Sequence, residues 1–293
     1  MTKTLPVSLW PVAAELGEGV IWHPDERVVY FVDVKQHQIH RCDASGRQKK
    51  TWTVPQQVGF IVPAGNGQLI CGLQDGLHHF SPASGEVVRI NRVDADQPTN
   101  RINDGYADAR GQLWFGSMDD EETQPSGRLY SINSAGQAAV HDEGYVISNG
   151  PVISPDGRTL YHTDTVNKSI YGFDVQPDHR LTHKRLFLKL DGAGWPDGMA
   201  VDSEGCLWIA FFGGWRIDRY TPQAVLIESL PFPCANITKL AFGGEDLRTV
   251  FVTTARKGLT PQELEQQPLA GSLFSFRTAT PGMRQCVFHW QQS

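Results

Sequence analysis

Six short β-rich runs recur along the chain at intervals of about 40 to 47 residues. They occupy residues 28–34, 69–73, 113–117, 160–164, 207–211 and 250–254. Each run is followed by a second strand candidate, with Gly, Asp or Pro turns between them. Short strands at this spacing are typical of all-β repeats, in which one repeat forms one four-stranded blade. The sequence therefore predicts a six-bladed β-propeller, with four-stranded blades around a central channel.

The repeat runs through the chain without a linker or a shift in composition, so residues 1–293 are predicted to form one propeller domain. A β-sandwich or two small β domains is the alternative. Two segments fall outside the six units, residues 7–10 and 285–290, and we expect both to help close the ring. Helical periodicity is nearly absent, and residues 261–267 are the one segment for which a short helix is predicted.

Composition and charge restrict the classes of molecule that the protein is expected to bind and the compartment in which it is expected to lie. The net charge is −6 and no basic stripe occurs, which argues against nucleic acid. No run approaches the roughly 18 apolar residues of a membrane span. The five cysteines are widely spaced, without a C-x-x-C pair, which favours a reducing compartment. We therefore expect a cytoplasmic protein, and a monomer as the default for a closed ring.

Four oxygen-bearing side chains occupy the same position in four of the repeats. Glu18, Asn103, Asn149 and Asp197 each lie ten or eleven residues before the β-rich run of their unit. This position is the start of the innermost strand of a blade. Because the blades are related by rotation about one axis, the four side chains are expected to converge at one mouth of the channel.

Two carboxylates and two amides that converge in this way suit a hard divalent ion such as Ca²⁺, Mg²⁺ or Mn²⁺, without excluding Zn²⁺ or Fe²⁺. Asn or Asp before Gly is also common in turns, which is the alternative for Asn103, Asn149 and Asp197. Glu18 lies between two glycines and is a poor turn former. Arg101 precedes Asn103 by two residues, so both side chains point to one face of an extended segment.

At these residues the sequence resembles the regucalcin–gluconolactonase family. The matching motifs are LGEGVIW around Glu18, RINDG around Asn103, SNGPVISPDGRTLYHTDT around Asn149 and PDGMAVDSEGCLWIA around Asp197. The likeness covers nearly the whole chain, including FGG at residues 242–244. It implies a six-bladed propeller that hydrolyses an aldonolactone with the help of one divalent ion.

The resemblance also implies residue roles. Glu18, Asn149 and Asp197 correspond to metal ligands, and Asp197 to the catalytic proton acceptor. The implied substrate-binding residues are Arg101, Asn103 and Glu121, although the acidic loop around Glu121 can be aligned one residue either way. Glu121 or a metal-bound hydroxide is the alternative base. Lys239 departs from the pattern of the family, in which small or polar residues are commoner at this position.

The expected substrate is a sugar lactone of the glucono-, galactono-, arabino- or xylonolactone type, and the product is the aldonic acid. Two other functions remain open. The same fold and an open metal position would suit an organophosphate or aryl-ester hydrolase. A non-catalytic calcium-binding propeller would use the same ligands.

Overall fold

Twenty-four strands form six four-stranded antiparallel sheets in the computed structural model, which describes residues 5–291. The chain first forms β1 (Val7–Trp10). Five sheets then follow, each made of four consecutive strands. The first three comprise β2 (Gly17–His23), β3 (Val28–Asp33), β4 (Gln38–Asp43) and β5 (Lys50–Thr53); β6 (Val58–Pro63), β7 (Leu69–Leu73), β8 (Gly76–Phe80) and β9 (Val87–Arg92); and β10 (Asn100–Ala107), β11 (Gln112–Asp119), β12 (Gly127–Asn133) and β13 (Ala138–Tyr145).

The remaining strands complete three more sheets. They are β14 (Ser148–Ile153), β15 (Thr159–Asp164), β16 (Ser169–Val175) and β17 (Leu181–Lys189); β18 (Trp195–Val201), β19 (Leu207–Phe212), β20 (Arg216–Tyr220) and β21 (Leu226–Pro231); and β22 (Ile237–Gly243), β23 (Thr249–Thr254) and β24 (Leu273–Arg277), to which β1 is added. A 3₁₀ turn at Gly65–Gly67 connects β6 to β7.

The six sheets are the blades of a ring. Their first strands, β2, β6, β10, β14, β18 and β22, contact one another in that order, and β22 returns to contact β2. These strands line the central channel. The predicted six-bladed propeller with four-stranded blades is confirmed.

The core consists of hydrophobic clusters, one between each pair of neighbouring blades. Successive side chains of a strand point to opposite faces of its sheet, so each strand contributes to the clusters on both sides of its blade. In β3, for example, Val29 and Phe31 pack towards the sixth blade, whereas Tyr30 and Val32 pack towards the second. The apolar runs seen in the sequence are therefore strands buried on both faces.

The N-terminal strand closes the ring as predicted. β1 pairs antiparallel with β24 and becomes the outermost strand of the sixth blade, so this blade joins the two ends of the chain.

The prediction for residues 285–290 was wrong, because this segment joins no blade. Together with residues 282–284, it crosses the propeller at the ends of the innermost strands, where Phe288 forms an isolated bridge with Ala64 and Gly282 forms one with Asp202. Phe288 is fully buried there.

The helix candidate is confirmed as α1 (Pro261–Gln266). It begins with a capping box in which Thr260 and Glu263 exchange hydrogen bonds. Within residues 5–291, no helix has the length and apolar character needed to cross a membrane.

Candidate active site

A β-bulge lies near the start of each innermost strand. The register between the first and second strands shifts after Glu18, after Asn149, and around Asn103 and Asp197, with matching shifts in the second and sixth blades. Bulges bend a strand and change the direction of its side chains, and they are common beside active sites. Here they turn the four side chains towards the axis.

These four side chains and Arg101 line one cavity of about 450 Å³ at the mouth of the channel. Each of the five residues is at most 7% exposed. Of the predicted site residues, Glu121 alone is absent from this lining and is exposed to solvent, while its neighbour Glu122 is part of the lining. The structure thus brings together the residues that the sequence placed at one register.

A chain of hydrogen bonds fixes the two amides. Arg101 donates to Oδ1 of Asn103 at 2.5 Å, and Asn103 donates to Oδ1 of Asn149 at 2.8 Å and to the carbonyl of Ser148 at 2.7 Å. Asn149 in turn donates to Oγ1 of Thr165 at 3.0 Å. The amide oxygen of Asn149 accepts one of these bonds and keeps a second lone pair.

The side chain of Arg101 is held by carboxylate on its other side. Its Nε donates to Oδ1 of Asp120 at 2.9 Å, and the same carboxylate accepts from Lys35 at 2.8 Å and from Gln57 at 2.7 Å. The guanidinium therefore projects into the cavity in one orientation.

The two carboxylates of the cavity lie in an environment that opposes ionisation. Burial, and then the nearby Asp104, raises the pKa of Glu18 to about 8. Burial, followed by Glu18 and Asp104, raises the pKa of Asp197 well above its usual range, and Lys239 opposes both effects. Oxygen ligands with unneutralised negative charge are the donor set that hard divalent cations prefer, so these residues fit such an ion.

Asp104 and Lys239 lie near the two carboxylates, outside the lining of the cavity. The ammonium of Lys239 pairs with Oδ1 of Asp104, and Oδ2 of Asp104 accepts a hydrogen bond from the amide of Gly150 at 2.8 Å. Both side chains are buried. From the sequence, Asp104 was named only as part of a turn. Its position directly after Asn103 was the signal that could have placed it near the site.

The rim of the cavity combines an ion pair with apolar side chains. Lys257, from the loop after β23, pairs with Glu122 in the loop after β11, across the mouth. Trp195, which is 46% exposed, and Phe212 face the same space. Lys257 was missed from the sequence, because it belongs to an irregular loop that carries no repeat signal.

A second group of ligand types, formed by Asp202, Glu204 and Cys206, lies at the other end of β18. Asp202 is occupied there: it accepts hydrogen bonds from the indole of Trp208 at 2.9 Å and from Arg219 at 2.8 Å. Asp108 accepts the indole of Trp114 at 2.8 Å in the same way in the third blade. The carboxylate of Asp202 therefore belongs to a structural turn that the third and fifth blades share.

The chain is similar to known proteins along nearly its full length. A 6-deoxy-6-sulfogluconolactonase from Pseudomonas putida is 31% identical over 277 residues, which cover 93% of this chain and 94% of that protein. An L-arabinolactonase from Azospirillum brasilense is 34% identical over 281 residues, 93% of this chain and 92% of that protein. The crystal structure of a calcium-binding protein, regucalcin, from Agrobacterium tumefaciens str. C58 matches with a TM-score of 0.91 at 26% identity and covers 96% of each chain.

A sequence model of the SMP-30/Gluconolactonase/LRE-like region matches residues 16–256, which include every residue of the cavity described above except Lys257 and Gly258. The match spans most of the chain and agrees with the fold and with the full-length relatives. The chain belongs to the SMP-30/gluconolactonase/LRE-like family.

Proposed function

We propose that the chain is a metal-dependent lactonase, a carboxylic-ester hydrolase that converts an aldonolactone to the aldonic acid. One observation carries the proposal: Glu18, Asn149 and Asp197 face a single cavity beside the polar side chains of Arg101 and Asn103. The relatives from Pseudomonas putida and Azospirillum brasilense are named 6-deoxy-6-sulfogluconolactonase and L-arabinolactonase, which supports the same reaction class.

Glu18, Asn149 and Asp197 would hold the ion. When bound, it would polarise the lactone carbonyl as a Lewis acid and lower the pKa of the carboxylates around it. Three protein ligands leave positions open, as catalytic sites require.

Asp197 takes the proton of the attacking water as the water oxygen bonds to the lactone carbonyl carbon. The same carboxyl then gives the proton to the ring oxygen as the ester C–O bond breaks, which releases the open aldonic acid. General base and acid assistance of this kind contributes roughly 10² to 10⁴ in rate.

Arg101 and Asn103 orient the substrate through its hydroxyl groups. Their hydrogen bonds to Asp120 and Asn149 hold them in place before substrate arrives, so little reorganisation is needed on binding. Glu122 and Lys257 offer an acceptor and a donor at the rim for the far end of the sugar.

The test is acid release from a panel of lactones by protein stripped with a chelator, with single metals added back. The panel contains gluconolactone, galactonolactone, xylonolactone, L-arabinolactone and 6-deoxy-6-sulfogluconolactone. Restored turnover that is lost in Asp197→Ala and kept in Asp191→Asn, a carboxylate that is exposed to solvent, supports the proposal. Metal binding without turnover of any lactone would contradict it.

A second candidate is an aryl-ester or organophosphate hydrolase. The observation in its favour is the apolar part of the cavity lining, formed by Leu16, Ile147, Val166, Trp195 and Phe212. Phenyl acetate and paraoxon therefore belong in the same panel. Faster turnover of these compounds than of any aldonolactone would select this function instead.

A further inference from the structure

The ion pair of Lys239 and Asp104 spans the central channel. Lys239 lies in β22 of the sixth blade and Asp104 in β10 of the third, which stand opposite each other in the ring. The side chains are 8% and 1% exposed. A charge buried to this extent is costly, so the pair calls for an explanation beyond general stability.

The backbone around the pair leaves a path for the lysine. A Cβ atom on Gly198, the residue after Asp197, would lie 2.9 Å from Cγ of Lys239, so only glycine leaves room for the stem there. Asp104 is fixed by the amides of Gly105 at 2.7 Å and Gly150 at 2.8 Å. Both charges are thus held beside the carboxylates of the cavity.

The charges near the axis follow a simple balance. Asp120 pairs with both Arg101 and the partly exposed Lys35, and Glu122 pairs with Lys257. Glu18, Asp104 and Asp197 remain, and Lys239 is the cation that stands among them. These four buried groups, when all are ionised, carry a net charge of −2 among themselves, which one divalent ion neutralises.

We propose that Lys239 acts as a fixed cation of the metal site, which sets the net charge of the channel so that the site selects one divalent ion over ions of higher charge. The inference rests on the proposed metal centre. Lys239 is a positioning residue, since it acts through Asp104 and the field on the ligands and does not itself bind substrate.

The charge balance can be changed one unit at a time. Lys239→Met removes the positive charge, Asp104→Asn removes a negative charge, and the double variant removes both and restores the net charge of the wild type. Calorimetric titration of chelator-stripped protein with Ca²⁺ and, separately, with Tb³⁺ measures the preference for the trivalent ion. The readout is the ratio of the two Kd values, which does not depend on activity.

We expect Lys239→Met to shift this ratio towards Tb³⁺ by about tenfold or more, and Asp104→Asn to shift it towards Ca²⁺ by a similar factor. The double variant should lie within about threefold of the wild type. Lys239→Arg, which keeps the charge, is the matched control and should resemble the wild type. If Lys239→Met fails to fold, the comparison of Asp104→Asn with the double variant still isolates the charge of Lys239, because the two differ only at that residue.

Ratios that agree within about threefold for all the variants would overturn the inference, as would a double variant that resembles either single one. In both cases a wild-type protein that binds Ca²⁺ would leave the proposed metal centre intact. A wild-type protein that binds neither ion would overturn the metal centre itself, and with it this inference.

Discussion

The side-chain amide of Asn103 donates a 2.8 Å hydrogen bond to Oδ1 of Asn149 and so joins the third blade to the fourth inside the cavity. The bond orients the amide of Asn149, with its oxygen on the side of Asn103 and its nitrogen towards Thr165. An amide free to rotate would present nitrogen to a cation half of the time. Asn103 therefore has a second role besides the substrate contact that the sequence implied.

We expect Asn103→Ala to weaken divalent-ion binding by about 10- to 100-fold, the range usual for loss of a residue that orients a metal ligand. Calorimetric titration of the stripped protein measures the change. Asn91→Ala, on the outer strand of the second blade, is the control and should bind as the wild type does. Unchanged affinity in Asn103→Ala would show that Asn149 is oriented without it.

The structure and the sequence alignment point to different acidic residues as the substrate contact, Glu122 and Glu121 respectively. Glu122 lies in the cavity lining and pairs with Lys257, whereas Glu121 is exposed. Loss of one hydrogen-bond acceptor to a sugar hydroxyl should raise KM in Glu122→Gln by about 3- to 10-fold with little change in kcat. Glu121→Gln should leave both constants unchanged. The reverse order in steady-state kinetics would favour the alignment without the shift.

The buried carboxylates predict how stability depends on pH when no metal is bound. Burial and the neighbouring Asp104 raise the pKa of Glu18 from 4.5 to about 8, so the folded protein holds a proton that the unfolded chain releases. The resulting stability is present at acidic pH and is lost as pH rises through the folded pKa. The unfolding free energy of the stripped protein should therefore fall as the pH rises from about 5 to about 8, the interval between the unfolded and folded pKa values.

Urea unfolding in the presence of a chelator, at several pH values between about 5 and 8, measures this slope. Glu18→Gln should reduce it, because the amide does not titrate, while Glu121→Gln should not. Added divalent ion should remove the fall, since the cation then takes the place of the proton. A slope that is identical in Glu18→Gln and the wild type would assign the effect to other groups.

Features that recur in every blade could be predicted from the sequence, whereas features of single loops and long-range contacts could not. Each blade carries the same local pattern, so the strands and the shared register of Glu18, Asn149 and Asp197 could be found without a structure. Glu122 enters the cavity because its backbone takes a left-handed φ of 58° in a loop, which residue spacing does not reveal. Lys239 departs from the pattern of the family, and the sequence did not reveal its role. Its partner Asp104 lies 135 residues away in the chain, so no local pattern connects the two.

The segment after the sixth blade was assigned to ring closure from its position alone. The structure shows instead that residues 282–290 run across the channel end opposite the cavity, where Met283, Arg284 and Gln285 line a small space with Lys239. No pattern in nine residues distinguishes a strand added to a blade from one that crosses the ring. Tertiary contacts decide between them: Phe288 bonds to Pro63 of the second blade, and Gly282 contacts Asp202 of the fifth blade and Leu247 of the sixth.

Phe288 tests whether this crossing stabilises the propeller. Its ring is fully buried in the cluster between the second and third blades, and its amide donates to the carbonyl of Pro63 at 2.8 Å. Phe288→Ala keeps the backbone bond but leaves a cavity, so the unfolding free energy should fall by about 3 to 5 kcal/mol. Val225→Ala, at a residue 56% exposed, is the control and should change it by less than about 0.5 kcal/mol. Removal of a phenyl side chain that packs in the core must lower the unfolding free energy. Equal urea midpoints for the two variants would therefore mean that the segment is held only loosely against the propeller.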